Sequence, residues 1–422
     1  MSGGASIPDM LRLAQRAEVD VALLRDALAI ESVTGNETSF ARFLAHQLSN
    51  LGLDTGTGPF KGERENVWGT LQGDGPNLMV VGHTDTVHVR GWDAHWGDDA
   101  RNDPFGGVEV DGHIWSRGAS DLKGGICAAI AGYRLLRTVG ITPSCSLTFA
   151  FIGDEESGEP GSGVSAGAKD LVRRIQDGAV PRPDFAVYVE PTNLDIYTAQ
   201  IGFFIADITV TGKTAYFGTP ELGVDALKAT HQLLSRIWEH DADLNAGPRH
   251  DLVRASSILV TDINGGGFVA VPGECKLSLI RKLRPGEALD DAVHTFERAL
   301  KIATLPEGIN VVISYPAGRD HPKGGSPVEN DPDLAAVDLL QNCIRDIRPG
   351  AGQVGGAPYW SEMPFLTDQI GCPTVYCAPG DIAVAHTHEE RIEIEEYLAA
   401  VRAFALFIAR FSPSVAPPIT LT

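Results

Sequence analysis

Histidine and carboxylate side chains follow four separate apolar stretches of this sequence. The motifs at these points are GHTDTV, GDEESG, VEPTN and AHTHEE, and their candidate residues are His83, Asp85, Glu155, Glu156, Glu190 and His386. Negative charge at the end of a buried strand is costly unless a cation compensates it, and imidazole and carboxylate groups bind zinc, manganese or cobalt. The pattern therefore predicts a centre that holds one or two divalent metal ions and activates water for hydrolysis.

Taken singly, two motifs also have ordinary structural explanations. His83 and Asp85 point to the same side of an extended chain, which suits a metal-binding histidine with a supporting acceptor but equally a simple loop hydrogen bond. Asp121 in SRGASDLKGG precedes an apolar helical pattern and could be a plain N-cap residue. The recurrence of acidic or histidine residues at several strand ends is what favours the metal centre.

Apolar runs and amphipathic segments supply the elements that would position these motifs. NLMVVGH, SLTFAFIG and DFAVYV have the pattern of buried strands, and helical patterns such as TSFARFLAHQLSNLG alternate with them. This alternation predicts an α/β fold, in which chemistry gathers at the carboxyl ends of the strands.

After residue 200 the pattern changes. FFIADITVTG alternates like a half-exposed strand, and helical patterns follow near residues 223–240 and 287–302. The first style then returns with the helical DLAAVDLLQNCIRDI, the strand PTVYCAPG and the helical IEEYLAAVRAFALFIARF. We therefore predict that a compact α+β unit interrupts the α/β domain.

Composition narrows the class of protein. The chain has 422 residues, more than one core usually supports, and its 43% hydrophobic and 21% charged residues are typical of a globular protein. A formal net charge of -21 disfavours nucleic acid and anionic membrane surfaces as partners. Six scattered cysteines and an N-terminus without a signal-peptide pattern predict a cytoplasmic protein with buried, reduced thiols.

Five motifs, taken together, resemble the M20 metallopeptidase family. They are, in order, GHTDTV, SRGASDLKGG, GDEESG, VEPTN and AHTHEE, and the resemblance covers nearly the whole chain. That family includes acetylornithine deacetylase, succinyl-diaminopimelate desuccinylase and the glutamate carboxypeptidases. The resemblance implies a catalytic domain with a mixed sheet flanked by helices at residues 1–200 and 317–422, interrupted by a smaller α+β lid domain at 201–316 that forms a homodimer or higher homo-oligomer.

The resemblance also implies a set of metal ligands, usually for two zinc ions. His83 and Glu190 would hold one ion. Glu156 and His386 would hold the other, and Asp121 would bridge the two.

Other motif residues acquire supporting roles from the same resemblance. Asp85 would orient His83. Glu155 would be the general base that takes a proton from water and passes it to the departing nitrogen. His388 falls where the family usually has proline, so we expect it to be a neighbour of the site and not a ligand.

The predicted lid departs from the family pattern. Family members commonly carry an AHS segment whose histidine stabilises the oxyanion formed on an amide carbonyl, whereas this chain has TAYFGTPELGVDA with Tyr216 at that position. Val269 replaces a usual asparagine and Leu279 a usual aspartate. Arg281 is retained, with Arg284 nearby, and a guanidinium there could clamp a substrate carboxylate.

Two functions are compatible with this pattern, and both hydrolyse a carbon–nitrogen bond in a small carboxylate-bearing substrate. The altered lid favours an aminohydrolase that releases ammonia from an aromatic amine, because one branch of the family deaminates nitro-substituted aminobenzoates such as 5-nitroanthranilate; Phe217 and Phe268 could stack on the ring. Alternatively, Tyr216 is a substitute hydrogen-bond donor in an ordinary N-acyl amino acid deacylase or carboxypeptidase. A non-catalytic binding protein would require the loss of a ligand or of the base, and none is missing.

Overall fold

The computed structural model describes residues 21–157 and 161–416. The N-terminal stretch, for which we predict no signal peptide, lies outside these ranges. In the part of the chain that is described, no helix has both the length and the apolar character needed to span a bilayer. All six cysteines are buried free thiols, and burial raises the pKa of Cys127 and Cys343 to about 12.

The chain divides into two compact units. Unit 1 comprises Met1–Thr198, Asn330–Gly355 and Phe365–Thr422, and unit 2 comprises Ala199–Glu329 and Gly356–Pro364. Unit 2 begins close to the predicted insertion at 201–316 and continues beyond its predicted end. The catalytic and lid roles that we assigned to these ranges stay predictions.

Helices and strands alternate along most of the described chain. The helices are α1 Ala22–Leu28, α2 Thr38–Asn50, α3 Trp92–Trp96, α4 Gly124–Thr138, α5 Ala166–Gln176, α6 Ala226–Ala246, α7 Leu289–Lys301, α8 Ala335–Ile347, α9 Met363–Ile370 and α10 Ile394–Arg410. The strands are β1 Asp54–Lys61, β2 Arg64–Leu71, β3 Asn77–His83, β4 Val108–Val110, β5 His113–Trp115, β6 Ser146–Ile152, β7 Phe185–Tyr188, β8 Ile196–Gln200, β9 Gly202–Thr211, β10 Arg249–His250, β11 Arg254–Ala255, β12 Ser257–Gly265, β13 Glu274–Leu283, β14 Asn310–Ser314, β15 Gly324–Gly325, β16 Val328–Glu329, β17 Val354–Ala357, β18 Thr374–Tyr376 and β19 Arg391–Glu393.

A mixed sheet forms the centre of unit 1, with the strand order β1-β2-β6-β3-β7-β18-β8. The neighbours β6, β3, β7 and β18 are parallel, whereas β1, β2 and β8 are antiparallel to the strands beside them. β3 and β7 are buried along their whole length, as expected for parallel strands that are covered on both faces. The predicted α/β fold with a mixed sheet is confirmed.

Helices lie on both faces of this sheet. On β2, the side-chain amide of Asn66 donates to the carbonyl of Gly167 in α5 at 2.9 Å. A Cβ added at Gly69 on the same strand would instead meet Leu48 of α2. Successive strand residues point to opposite faces, so α5 and α2 cover opposite sides of the sheet.

Gly132 allows α4 and α10 to pack closely in unit 1. A Cβ at this position would lie 2.9 Å from the carbonyl oxygen of Val401 and 3.0 Å from the backbone nitrogen of Ala405. These distances are shorter than carbon normally tolerates. The apolar sequence of α10 is correspondingly buried over most of the helix.

Unit 2 contains an antiparallel sheet with the order β12-β13-β9-β14. Residues of β9 alternate between buried and partly exposed positions, as the sequence predicts for FFIADITVTG. Its buried side chains, including Phe204 and Ile208, pack with α6 and α7 residues such as Leu233 and Phe296. β12 lies at one edge of the sheet, where Leu259 is 66% exposed.

Candidate metal centre

Loops after parallel strands of unit 1 bring the predicted residues together. β3 ends at His83, and β6, β7 and β18 are followed by the loops that carry Glu156, Glu190 and His386. Because these strands are neighbours in the sheet, their carboxyl ends meet at one edge. This is where α/β sheets commonly bind ligands.

Asp121 lies between the two histidines of the cluster. Its Oδ1 is 3.1 Å from His83 Nε2, and its Oδ2 is 3.2 Å from His386 Nε2. Asp121 belongs to the Ala119–Lys123 turn, and the N-cap of α4 is Lys123. The N-cap explanation therefore does not apply to Asp121.

Each histidine also faces a glutamate. Glu190 Oε1 lies 3.7 Å from His83 Nε2, and Glu156 Oε1 lies 3.0 Å from His386 Nε2. We call the pair on the Oδ1 side of Asp121 (His83 and Glu190) subsite A and the pair on the Oδ2 side (His386 and Glu156) subsite B. Ligand atoms of His83, Asp121 and Glu156 all lie within 4.8 Å of one another.

Asp85 supports the cluster in a different way from the one we predicted. His83 Nδ1 lies 2.8 Å from the backbone carbonyl oxygen of Asp85 but 3.9 Å from its carboxylate. The carboxylate instead accepts the backbone N–H groups of Glu155 and Glu156 at 3.3 and 2.9 Å, and the Thr34 hydroxyl at 3.0 Å. The His83 ring is thus oriented by the Asp85 main chain, while the side chain holds the neighbouring acidic loop.

The carboxylates of this cluster attract positive charge. Burial raises the pKa of Glu156 to about 8, and the charge of Asp121 adds to the effect. Hydrogen bonds with Asp121 and Glu156 raise the pKa of His386 to about 11. Burial opposes protonation of His83, but its hydrogen bond with Asp121 and the charge of Glu190 outweigh burial and raise its pKa as well.

The donor set fits divalent metal ions. It combines two imidazole nitrogens with three carboxylates, a mixture that zinc, manganese and cobalt accept. The buried guanidinium of Arg117 pairs with Glu390, and that of Arg64 with Glu37 and Asp154. Neither arginine therefore supplies the positive charge that the cluster favours.

The GDEESG loop separates its three acids into different environments. Asp154 is fully buried, accepts Arg64 Nη1 at 2.7 Å and lies outside the cluster. Glu156 is buried within subsite B, whereas Glu155 is only partly buried. Arg64 was not apparent from the sequence, because a lone arginine in a strand carries no signal without its spatial partners.

A second buried ion pair near the cluster also escaped the sequence interpretation. Glu390 accepts the backbone N–H of Asp121 at 3.0 Å and pairs with Arg117. The sequence feature that could have indicated Glu390 is its position in AHTHEE, four residues after His386. His388, in the same motif, donates from Nε2 to the Arg90 carbonyl oxygen at 3.0 Å and packs on Trp92, in agreement with its predicted place as a neighbour.

The three predicted substrate-binding residues all belong to unit 2. Tyr216 is exposed, pairs with Ala270 in an isolated bridge and contacts the ring of Phe217. Arg281 is only 2% exposed, and its Nη2 donates to Glu287 Oε1 at 2.7 Å. This pairing argues against the predicted role of Arg281 as a free carboxylate clamp.

Arg284 is partly buried beside the same acid. Its backbone N–H donates to Glu287 Oε2 at 2.9 Å, and its guanidinium Nη1 donates to the Pro285 carbonyl at 3.0 Å. The backbone contact helps to fix the turn between β13 and α7.

A cluster of two histidines and three carboxylates at the carboxyl edge of a mixed sheet has the ligand types of a hydrolytic metal centre. The sequence profile of the peptidase family M20/M25/M40 matches residues 79–410, and the chain belongs to this family. It is a metal-dependent hydrolase of carbon–nitrogen bonds. The family and the enzyme class predicted from the five motifs are confirmed.

Known relatives extend over most of the chain. An acetylornithine deacetylase from Salmonella paratyphi B is 26% identical over 373 residues, which cover 86% of this chain and 88% of that protein. An M20 metallo-carboxypeptidase from Sulfolobus solfataricus has a similar fold, with a TM-score of 0.73 and 16% identity over 93% of this chain and 99% of its own. A dinuclear metal-binding M20 peptidase from Bacillus subtilis gives a TM-score of 0.63 and 15% identity, covering 95% and 97% of the two chains.

Proposed function

We propose that the chain binds two divalent metal ions, one in subsite A and one in subsite B, with Asp121 as the shared ligand. The observation that carries this proposal is the position of the Asp121 oxygens. Each oxygen faces one histidine, and each histidine in turn faces one glutamate. The similarity to a dinuclear metal-binding peptidase supports it. Bound ions would make a water molecule more acidic and polarise the substrate.

Glu155 is the general base in this proposal. It immediately precedes Glu156 of subsite B, its backbone N–H is held by Asp85 at 3.3 Å, and its charge helps to raise the pKa of His83. Its side chain is only partly buried, so it can approach a substrate. Glu155 would take a proton from the attacking water and deliver it to the departing nitrogen.

We further propose that the substrate is a small aromatic amine with a carboxylate, such as 5-nitroanthranilate. Water would add to the ring carbon that bears the amino group, the carbon–nitrogen bond would break, and the proton carried by Glu155 would leave with ammonia. The product would keep the water oxygen as a ring hydroxyl. The support is the aromatic character of the altered loops in unit 2, where Tyr216 and Phe217 are exposed and Phe268 is 98% exposed.

A second candidate is the deacylation of an N-acyl amino acid. The observation in its favour is the 26% identity to an acetylornithine deacetylase over most of the chain. In that case Tyr216 would donate a hydrogen bond to the carbonyl oxygen, in place of the usual histidine.

Ammonia release from the metal-loaded enzyme, measured beside the new primary amine that acyl and peptide substrates release, distinguishes the two candidates. We would assay 5-nitroanthranilate and anthranilate beside N-acetylornithine, N-succinyl amino acids and dipeptides, with Zn²⁺, Mn²⁺ and Co²⁺ each in turn. Turnover of the nitro compound alone supports the aminohydrolase. Turnover of the acyl compounds alone contradicts it and supports the deacylase.

Tyr216→Phe provides a second test of the two candidates, because it removes the hydroxyl and retains the ring. For the aminohydrolase we expect kcat/KM to change little if the ring alone contributes. For the deacylase the lost oxyanion donor would cost about 100-fold or more in kcat.

Unit 2 is proposed as the lid and the dimerisation domain. β12 is an edge strand with exposed apolar side chains, including Leu259 and Ile263, and an unpaired strand edge can add a strand from a second copy.

The cytoplasmic location remains a prediction from the sequence.

A further inference from the structure

His386 itself contributes little packing to hold its own loop in place. The His386 side chain is 56% exposed, so little packing holds the ring. Its backbone has φ of 60°, a left-handed conformation that residues other than glycine rarely adopt. The ring contacts Asp121 and Glu156, but these contacts are between ligands that a bound ion would separate, so contacts elsewhere in the loop are needed to hold the imidazole toward subsite B.

The buried ion pair of Arg117 and Glu390 supplies such contacts. Arg117 Nη1 pairs with Glu390 Oε2, and the two side chains are almost completely buried. Arg117 Nη2 also donates to the carbonyl oxygen of Thr387 at 3.0 Å. The guanidinium therefore holds the residue that directly follows His386.

The other end of the pair holds the bridging residue. Glu390 Oε1 accepts the backbone N–H groups of Ser120 and Asp121 at 3.1 and 3.0 Å. Glu390 thus fixes the main chain at Asp121 while its partner Arg117 fixes the main chain after His386. One charged pair joins the turn before α4 to the loop before β19.

Subsite A is held by different contacts. His83 is oriented by the carbonyl of Asp85, and the Asp85 carboxylate is bonded to the Glu155–Glu156 loop. Neither Arg117 nor Glu390 has a hydrogen bond with His83 or Asp85 among the described contacts. Loss of Arg117 alone should consequently disturb only one of the two subsites.

We propose that Arg117 and Glu390 are positioning residues that set the distance between His386 and Asp121 and thereby tune the metal affinity of subsite B. The inference rests on the proposed two-metal centre. Removal of the Arg117 guanidinium releases the Thr387 carbonyl but leaves an acceptor for the Asp121 N–H. Removal of the Glu390 carboxylate releases Asp121, which both subsites share.

Metal titration of the full chain tests this assignment. The chelator-treated protein would be titrated with Co²⁺ alone, with calorimetry for stoichiometry and affinity and the visible absorption of Co²⁺ for coordination. We expect two equivalents for the wild type. In Arg117→Met, one equivalent should keep its affinity and the other should weaken about 10- to 100-fold, the usual effect of losing a residue that supports a ligand.

Three further variants separate positioning from general stability. Arg117→Lys keeps one donor and should recover part of the lost affinity, whereas Glu390→Ala should weaken both equivalents. Arg410→Met is the control, because Arg410 is also a largely buried arginine of unit 1 and pairs with Asp346; this change should leave both affinities unchanged. If Arg117→Met does not fold, the Arg117→Lys titration decides the same question.

The outcomes distinguish this inference from the proposal beneath it. A wild type that binds fewer than two Co²⁺ ions overturns the two-metal centre and the positioning role together. A wild type that binds two, beside an Arg117→Met protein with unchanged or equally weakened affinities, overturns the positioning role alone; if Arg117→Met does not fold, the same result in Arg117→Lys overturns it.

Discussion

Asp121, Glu156 and Glu155 lie close together but have different surroundings. Asp121 is buried between two imidazoles that lower its pKa despite its burial, whereas burial raises the pKa of Glu156. Glu155 is the more exposed of the two neighbouring glutamates. These differences separate the residues suited to hold a cation from the one suited to exchange protons with substrate.

Glu155→Gln should retain metal binding and lose turnover. The amide cannot accept the proton of the attacking water, so kcat should fall about 100- to 10,000-fold. Metal stoichiometry by calorimetry and steady-state kinetics check the two halves of this expectation. Glu395→Gln, an exposed exchange in α10, is the control, and near-normal kcat in Glu155→Gln would remove this residue from the base role.

Metal binding should depend on pH because the ligands bind protons. The pKa of His386 is raised from 6.5 to about 11 and that of Glu156 from 4.5 to about 8. The folded chain therefore binds more protons than the unfolded chain in these ranges, and the stability of the chelator-treated protein should fall as pH rises through them.

Metal ions compete with the same protons. The increase in Tm on adding Mn²⁺ should consequently grow from about pH 6 to about pH 9. Thermal unfolding with and without the ion measures this increase. An increase that is constant or shrinks with rising pH would contradict the predicted ligand set.

At the scale of elements, α4 and α10 approach each other closely at Gly132. Gly132→Val would place carbon within about 3 Å of the α10 main chain, and overpacking of this kind costs about 1 to 3 kcal/mol. Chemical denaturation followed by tryptophan fluorescence measures the loss. Ala131→Val, at the adjacent and partly exposed position, should cost clearly less; equal losses would show that α4 disfavours valine generally.

The sequence was sufficient to predict the strands whose own residues form apolar runs. NLMVVGH and SLTFAFIG are predominantly apolar and contain β3 and β6. The acids and histidines that follow such runs converge because the strands are parallel neighbours. The partner of a buried charged residue could not be predicted from the sequence in this way. Arg117 and Glu390 are 273 residues apart, and their pairing depends on the tertiary fold.

The sequence also could not predict which atoms of Asp85 contact His83. Alternation along an extended chain correctly puts His83 and Asp85 in one region, but it does not say whether the carbonyl or the carboxylate meets the imidazole. The answer depends on the Glu155–Glu156 loop, which attracts the carboxylate through two backbone N–H groups.

At the scale of the whole molecule, we predict that the chain self-associates through the edge strand β12 of unit 2. Leu259→Asp combined with Ile263→Asp places charge on the exposed edge strand β12 and should shift the protein from dimer to monomer in light scattering. Val312→Asp is the control, because this exposed residue lies on β14 at the opposite edge of the same sheet. A monomeric wild type, or a dimer that survives both substitutions, would contradict the role of β12.

The two histidines of the centre differ greatly in accessibility, since the His83 side chain is 1% exposed and that of His386 is 56% exposed. In an enzyme that holds one ion in each subsite, we expect this asymmetry to give the two ions different exchange rates. The ion beside His386 should exchange rapidly with isotopically labelled metal in solution, while the ion beside His83 should persist through many such exchanges. The centre would then have a resident ion and a replaceable one, and the replaceable ion would follow the supply of metal in its surroundings.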